Sequence, residues 1–125
     1  MDSVQEAKRY IDNAKEILRE KAHKDNGFYV DRKYVRMAGN TAYNGILVAL
    51  DGILEMRAKG RKDVNWYKER LAKLDKGILN AFLSAYDTLH LALGYDGNLN
   101  AKIAQAGLED AESIINWVEQ RTART

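Results

Sequence analysis

Not one of the 125 residues is proline. Proline removes a backbone donor and breaks helix interiors. A chain without it is free to run long helices, and a turn-rich β fold is disfavoured.

The apolar spacing uses that freedom. Four segments carry apolar residues three and four apart, the period of an amphipathic helix. The first runs from Val4 to Ala22, with Val4, Ala7, Ile11, Ala14, Leu18 and Ala22 on one side and Tyr10 and Ile17 widening the stripe. Ser3 and Glu6 stand in the spacing of a capping box. The connection KDNGFYV follows. Asp31 is placed to cap a second helix, Arg32 to Lys59, with Val30 and Val35 spaced for a hydrophobic staple and Gly60 fitting the C′ position.

In that second helix Asn40, Asn44, Asp51 and Glu55 gather on a narrow polar stripe. Ala38, Ala42, Gly45, Ala49 and Gly52 form a strip without bulk, beside Ile46, Leu50, Ile53 and Leu54. A helix interior loses about 1 kcal/mol for each glycine against alanine, so the strip implies compensating contacts from a closely approaching helix. The second helix is therefore expected to be the most buried. Gly39 falls off the strip and is not explained by it.

The third segment, Val64 to Leu93, follows Asp63 as a cap. Its core face is Tyr67, Leu71, Leu74, Ile78, Phe82, Ala85, Leu89 and Ala92 or Leu93, and its second half widens with Leu79, Leu83 and Tyr86. The turn GYDGN ends it at Gly94. The fourth, Leu99 to Arg121, carries an arc of Leu99, Ile103, Gly107, Ala111, Ile114 and Val118, extended by Ala104, Leu108 and Ile115 on one side and Trp117 on the other. Four long helices with short connections define one all-α domain over residues 1–125, an antiparallel up-and-down four-helix bundle. A kink or split at a glycine in either long central segment would give a fifth helix.

Composition narrows the chemistry. The net charge of +2 is too mild to imply a nucleic-acid partner, and the absence of cysteine rules out disulfides, thiolate metal sites and cysteine nucleophiles. The start, MDSVQEAKRYIDNAKE, is too polar for a secretory signal, and no apolar run approaches ~20 residues, so the expectation is a cytoplasmic protein with no membrane partner. Asp87 and His90 form a D-x-x-H pair, but carboxylate-bridged metal bundles need two such motifs and further glutamates, and His23 lies at the far end of the first helix. No metal and no cofactor are expected. DGNLN at Asp96 to Asn100 opens like a calcium loop, yet the sixth and twelfth positions are Ala101 and Gly107, so a helix-to-helix turn is expected. Ser84 has no base beside it, and no phosphate-binding or nucleophile-elbow motif occurs.

Two surfaces are candidates for binding. The arc of the fourth helix and the bulk on the third suggest an interface of Tyr86, Leu108, Ile115 and Trp117, with wedging between two neighbours as the plainer account. The basic run from Arg57 to Lys76 includes Arg61, Lys62, Lys68 and Arg70 around Trp66, a set that could hold phosphates and stack a base. Interleaved acids give the plainer account there, a solvated face. A small-ligand pocket beside the glycine strip, lined by Tyr43 or Tyr86, is a third reading.

The stretch AGNTAYNGILVALDGILE, Ala38 to Glu55, resembles the alanine- and tyrosine-rich second helix of HEPN-like bundles, and AGLEDAESIINWVE is similar to their closing helix. The chain also resembles small uncharacterised bacterial bundle families. Catalytic HEPN proteins pair an arginine with a following histidine across a dimer interface. Here the histidine position is His90, in AYDTLH, and the arginine position, Ala85 or its neighbours, is not basic. The resemblance thus implies a non-catalytic bundle that dimerises. The expected function is non-enzymatic association, as a homodimer or with another protein, with a HEPN-like nucleotide- or nucleic-acid-binding bundle as the alternative.

Overall fold

Asp2 opens the first helix, α1 (Ser3–Ile17), its carboxylate accepting from the Gln5 N–H at 2.8 Å. The cap lies one residue before the expected Ser3, because Asp2 is extended whereas Ser3 is already helical. The computed structural model describes residues 2–54 and 62–123. The coil of α1 continues as a π-turn over Leu18–Ala22, closed by His23 N–H donating five residues back to Leu18 at 3.2 Å.

KDNGFYV is a hairpin rather than a plain connection. Strands β1 (Lys24–Asp25) and β2 (Phe28–Tyr29) pair antiparallel across Asn26 and Gly27, whose φ values of 52° and 83° suit the left-handed two-residue turn. Further backbone bonds, Tyr29 N–H to Leu99 at 2.8 Å and Ala101 N–H to Gly27 at 3.0 Å, tie the hairpin to the start of the last helix.

Asp31 caps α2 (Arg32–Asp51) as expected, accepting from Lys33 N–H at 3.1 Å. The staple does not form, since Val35 is buried while Val30 is 68% exposed. The helix ends at Gly52, and its expected continuation through Glu55 to Lys59, with Gly60, lies outside the described residues.

The expected third helix is broken. It comprises α3 (Val64–Leu74), α4 (Lys76–Ala85) and a π-helical segment (Tyr86–Tyr95) continuing α4. The break falls at Asp75, not at a glycine. Asp75 adopts an extended backbone and turns its carboxylate onto Ile78 N–H at 3.0 Å, so it caps α4 instead of continuing α3. Leu74, expected in the core, is left 43% exposed. The chain thus has five α-helices among the described residues, the last being α5 (Ala101–Ala123), two residues later than the expected Leu99. Asn98 and Asn100 supply the side-chain turns that start α5, so DGNLN is a helix-to-helix turn.

Contacts fix the topology. Gly45 of α2 lies against Tyr10 and Ala7 of α1, and Gly52 against Ser3. Asn40 Nδ2 donates to the Gly94 carbonyl at 3.3 Å, while Tyr43 meets Tyr86. Ser84 meets Asp110, and Gly107 meets Leu89. Lys8 pairs with Glu119 at 2.9 Å and Lys15 with Glu112 at 2.7 Å. In every adjacent pair early residues meet late ones, so α1, α2, α4 with its π segment, and α5 form an antiparallel up-and-down bundle, with α3 packed beside α4. All-α architecture and a central α2 are as expected. Ala38, Ala42, Gly45 and Ala49 are buried, whereas Gly52, at the helix end, is exposed. Gly39, which the strip left unexplained, is buried where α2 meets the π segment. A Cβ there would stand 2.5 Å from the Leu89 carbonyl oxygen and 2.8 Å from Gly94 N. No described helix is long and apolar enough to cross a membrane.

Candidate functional site

The faces of α2 and α4 that meet carry a file of aromatic rings. Trp66 and Tyr67 of α3 lie 4.9 Å apart between ring centroids, and Tyr67 stacks on Phe82 at 5.9 Å. Phe82 meets Tyr43 at 6.2 Å. Tyr43 meets Tyr86 at 5.8 Å and His90 at 4.8 Å, and those two stack at 5.2 Å. Helical phase brings the file together: Tyr43 and Leu47 are one turn apart on α2, and Leu79 and Leu83 follow one edge of α4 towards Tyr86 at the start of the π segment. Phe82 and Tyr43 are buried, while Leu47, Leu79, Leu83 and Tyr86 are half-buried against the core.

The four expected interface residues do not share one surface. Tyr86 belongs to this file. Ile115 is 2% exposed, covered by α1, so it is a core residue and cannot present a surface. Leu108, on the same side of α5, is half-buried and lines an open hollow with Tyr29 and Lys24 of the hairpin. Trp117 points away from both, with the Arg121 guanidinium 4.7 Å over its ring. Wedging between neighbours thus explains the α1 side of the wide α5 arc.

The basic cluster is partly engaged with itself. Lys62 pairs with Asp51 at 3.2 Å and lies 5.7 Å from the Trp66 ring, which Arg70 approaches at 5.0 Å. Lys68 is exposed, and Arg61 lies outside the described residues. Trp66 Nε1 is buried and has no hydrogen-bond partner among the described residues. Asp87 and His90 do not converge. In a π coil residues three apart diverge, and Asp87 is exposed while the His90 ring packs on tyrosines with Nδ1 unpartnered. Among the described residues no group of three His, Cys, Asp or Glu could hold a metal ion. Ser84 donates to Asp110 at 2.6 Å with no histidine in the pair.

Two tyrosines of the file are electrostatically distinctive. Burial, reinforced by the Tyr86 hydroxyl, pushes Tyr43 from its usual 10 up to about 12. Tyr67 is raised by burial and then by its hydrogen bond to Asp51 at 2.7 Å. In the unfolded chain both ionise near 10, while the folded protein holds the proton longer. The stabilisation is complete below pH 10 and is lost as pH rises through about 12 for Tyr43. Unfolding free energy measured by urea titration should therefore fall between pH 10 and about 12, less steeply in Tyr43→Phe. An unchanged slope in that variant would remove Tyr43 as a cause.

Fold and face together define a class, an all-α helical bundle with a partly buried aromatic seam. The chain belongs to the family described as Domain of unknown function (DUF5618), which matches residues 2–120. It is similar to the solved structure of a protein of unknown function from Dyadobacter fermentans, 56% identical over 95% of both chains with a TM-score of 0.92. No curated protein matches the chain.

The sequence reading missed the hairpin and Tyr29, although Asn-Gly is a strong two-residue hairpin turn signal, because the residues before it, Lys24 and Asp25, do not look like a strand. It also named Tyr43 without the ring file, which requires the α2 and α4 phases together.

Proposed function

We propose that this protein is a non-enzymatic helical bundle that works by association, in the first instance with a second copy of itself. The observation that carries the reading is the strip of Leu47, Leu79, Leu83 and Tyr86, half-buried and flanking the aromatic file. The strip holds no charged side chain. At a two-fold interface each residue near the axis meets its own copy, so an uncharged apolar strip suits self-pairing. The HEPN-like resemblance belongs to the same reading, as a bundle that dimerises without a catalytic pair. Cytoplasmic residence fits a chain with no cysteine.

Size-exclusion chromatography with light scattering is the test. The protein should run as a dimer, and Tyr86→Glu with Leu83→Glu should give a monomer with unchanged helical circular dichroism. A wild-type monomer at high concentration would overturn the reading.

The second reading, nucleotide or nucleic-acid binding at the basic end, draws on the gathering of Lys62 and Arg70 about Trp66, with Lys68 exposed on the same helix. It ranks second because the indole already carries two cations and Lys62 is already paired with Asp51.

A further inference from the structure

A concave surface far from the aromatic strip lies where the hairpin meets α1 and α5. Two adjoining open hollows, of about 260 and 600 Å3, share Lys15, Lys24, Tyr29 and Leu108. Their floor is apolar, formed by Leu18, Leu108 and the Tyr29 ring. The smaller hollow adds Arg19, so three cations and no carboxylate line it.

Those cations are available to different degrees. Lys15 pairs with Glu112 at 2.7 Å and Arg19 with its neighbour Glu20 at 3.0 Å. All four side chains are well exposed, and exposed pairs hold little free energy, so both cations can exchange partners. Lys24 has no ion pair among the described residues. The Tyr29 hydroxyl, protonated at neutral pH like any ordinary tyrosine and raised further by burial, bonds to no other described residue and is a hydrogen-bond donor. An unpaired ammonium, an unused phenol donor and two exchangeable cations thus surround an apolar floor.

We propose that this hollow binds a small amphipathic carboxylic acid. Its apolar body rests on Leu18, Leu108 and the Tyr29 ring. Its carboxylate accepts from Lys24 and the Tyr29 hydroxyl, with Lys15 and Arg19 nearby. A cavity of about 150 Å3 takes a benzene ring, so the smaller hollow has room for a ring and a short acid arm. The larger one continues from it towards Lys102, past the carboxylates of Glu109 and Glu112, so the acid group belongs at the smaller hollow.

The probe is 3-phenylpropionate, titrated into the full chain and followed by amide NMR shifts. Saturable shifts are expected at Lys24, Tyr29 and Leu108. The uncharged 3-phenylpropanamide should bind at least about tenfold more weakly, as should Lys24→Gln and Tyr29→Phe with the acid, because each loses a bond to a charged group. N-acetylglycylphenylalanine presents the same chemistry at a peptide end. Binding of either acid supports the site, and their relative affinity identifies the source. Both variants alter exposed or half-exposed groups, and circular dichroism checks that they remain folded. No shift at millimolar acid, equal binding of acid and amide, or shifts confined to the Tyr43 and Tyr86 face would overturn the proposal.

Discussion

Phe82→Ala should unfold this protein far more readily, lowering its stability by about 3–5 kcal/mol. Phe82 is 0% exposed and is the one ring that touches Tyr43 of α2 and Tyr67 of α3 while belonging to α4. Its removal deletes a large apolar side chain and leaves a void. Tyr43 and Tyr67 cannot both close that void, because Tyr67 is held to Asp51 by its hydroxyl. Domains of this size have about 5–15 kcal/mol in total, so the variant should sit near its unfolding threshold at ambient temperature. Urea denaturation followed by circular dichroism measures the change. Leu74→Ala, at a side chain 43% exposed, should shift stability by no more than about 0.5 kcal/mol in the same assay. A loss below about 1 kcal/mol for Phe82→Ala would show that the three helices are not joined through this ring.

Gly39→Ala should destabilise by about 2 kcal/mol, against its own helix propensity. Alanine gains about 1 kcal/mol over glycine in a helix interior. Here the added carbon would come within 2.5 Å of the Leu89 carbonyl oxygen, 2.6 Å of Leu93 Cβ and 2.8 Å of Gly94 N. Two of these atoms are backbone and cannot rotate away, so the overpacking penalty belongs at the upper end of the usual ~1–3 kcal/mol or beyond. Gly77→Ala is the contrast. Its Cβ would meet only the Asp75 carboxylate oxygen, at 3.1 Å, so its effect should stay within about 1 kcal/mol. If Gly39→Ala were neutral or stabilising, α2 and the π segment would not approach as closely as described.

These two positions also mark what could be read from the chain. Phe82 stands in a three-four spacing that local periodicity detects, so its core role was legible, as were the caps at Asp31 and Asp63. Gly39 was not. Its partner is a segment that leaves the α-helical period, and nothing in YDTLHLALGY shows that its hydrogen bonds will span five residues instead of four. The split at Asp75 was hidden for a related reason. Leu71 and Ile78 are both buried, and their spacing passes through the break, so only Leu74 betrays it. On the surface, the excess bulk of α5 and of α4 looked alike in the sequence. Ile115 is buried in the core, whereas Leu108, Leu83 and Tyr86 each keep part of their surface open. Which apolar excess is covered depends on long-range neighbours that no local window contains.

The hairpin has one further mechanical effect. Tyr29 N–H to Leu99, Ala101 N–H to Gly27 and Val30 N–H to Ala22 together rivet the finish of one helix, the outset of another and the turn between them. Sliding α5 along α1 by a single coil, about 5.4 Å, would shear these rivets at once. Axial stagger between those two rods is therefore locked at one end, and the Lys8–Glu119 and Lys15–Glu112 bridges follow that alignment rather than dictate it.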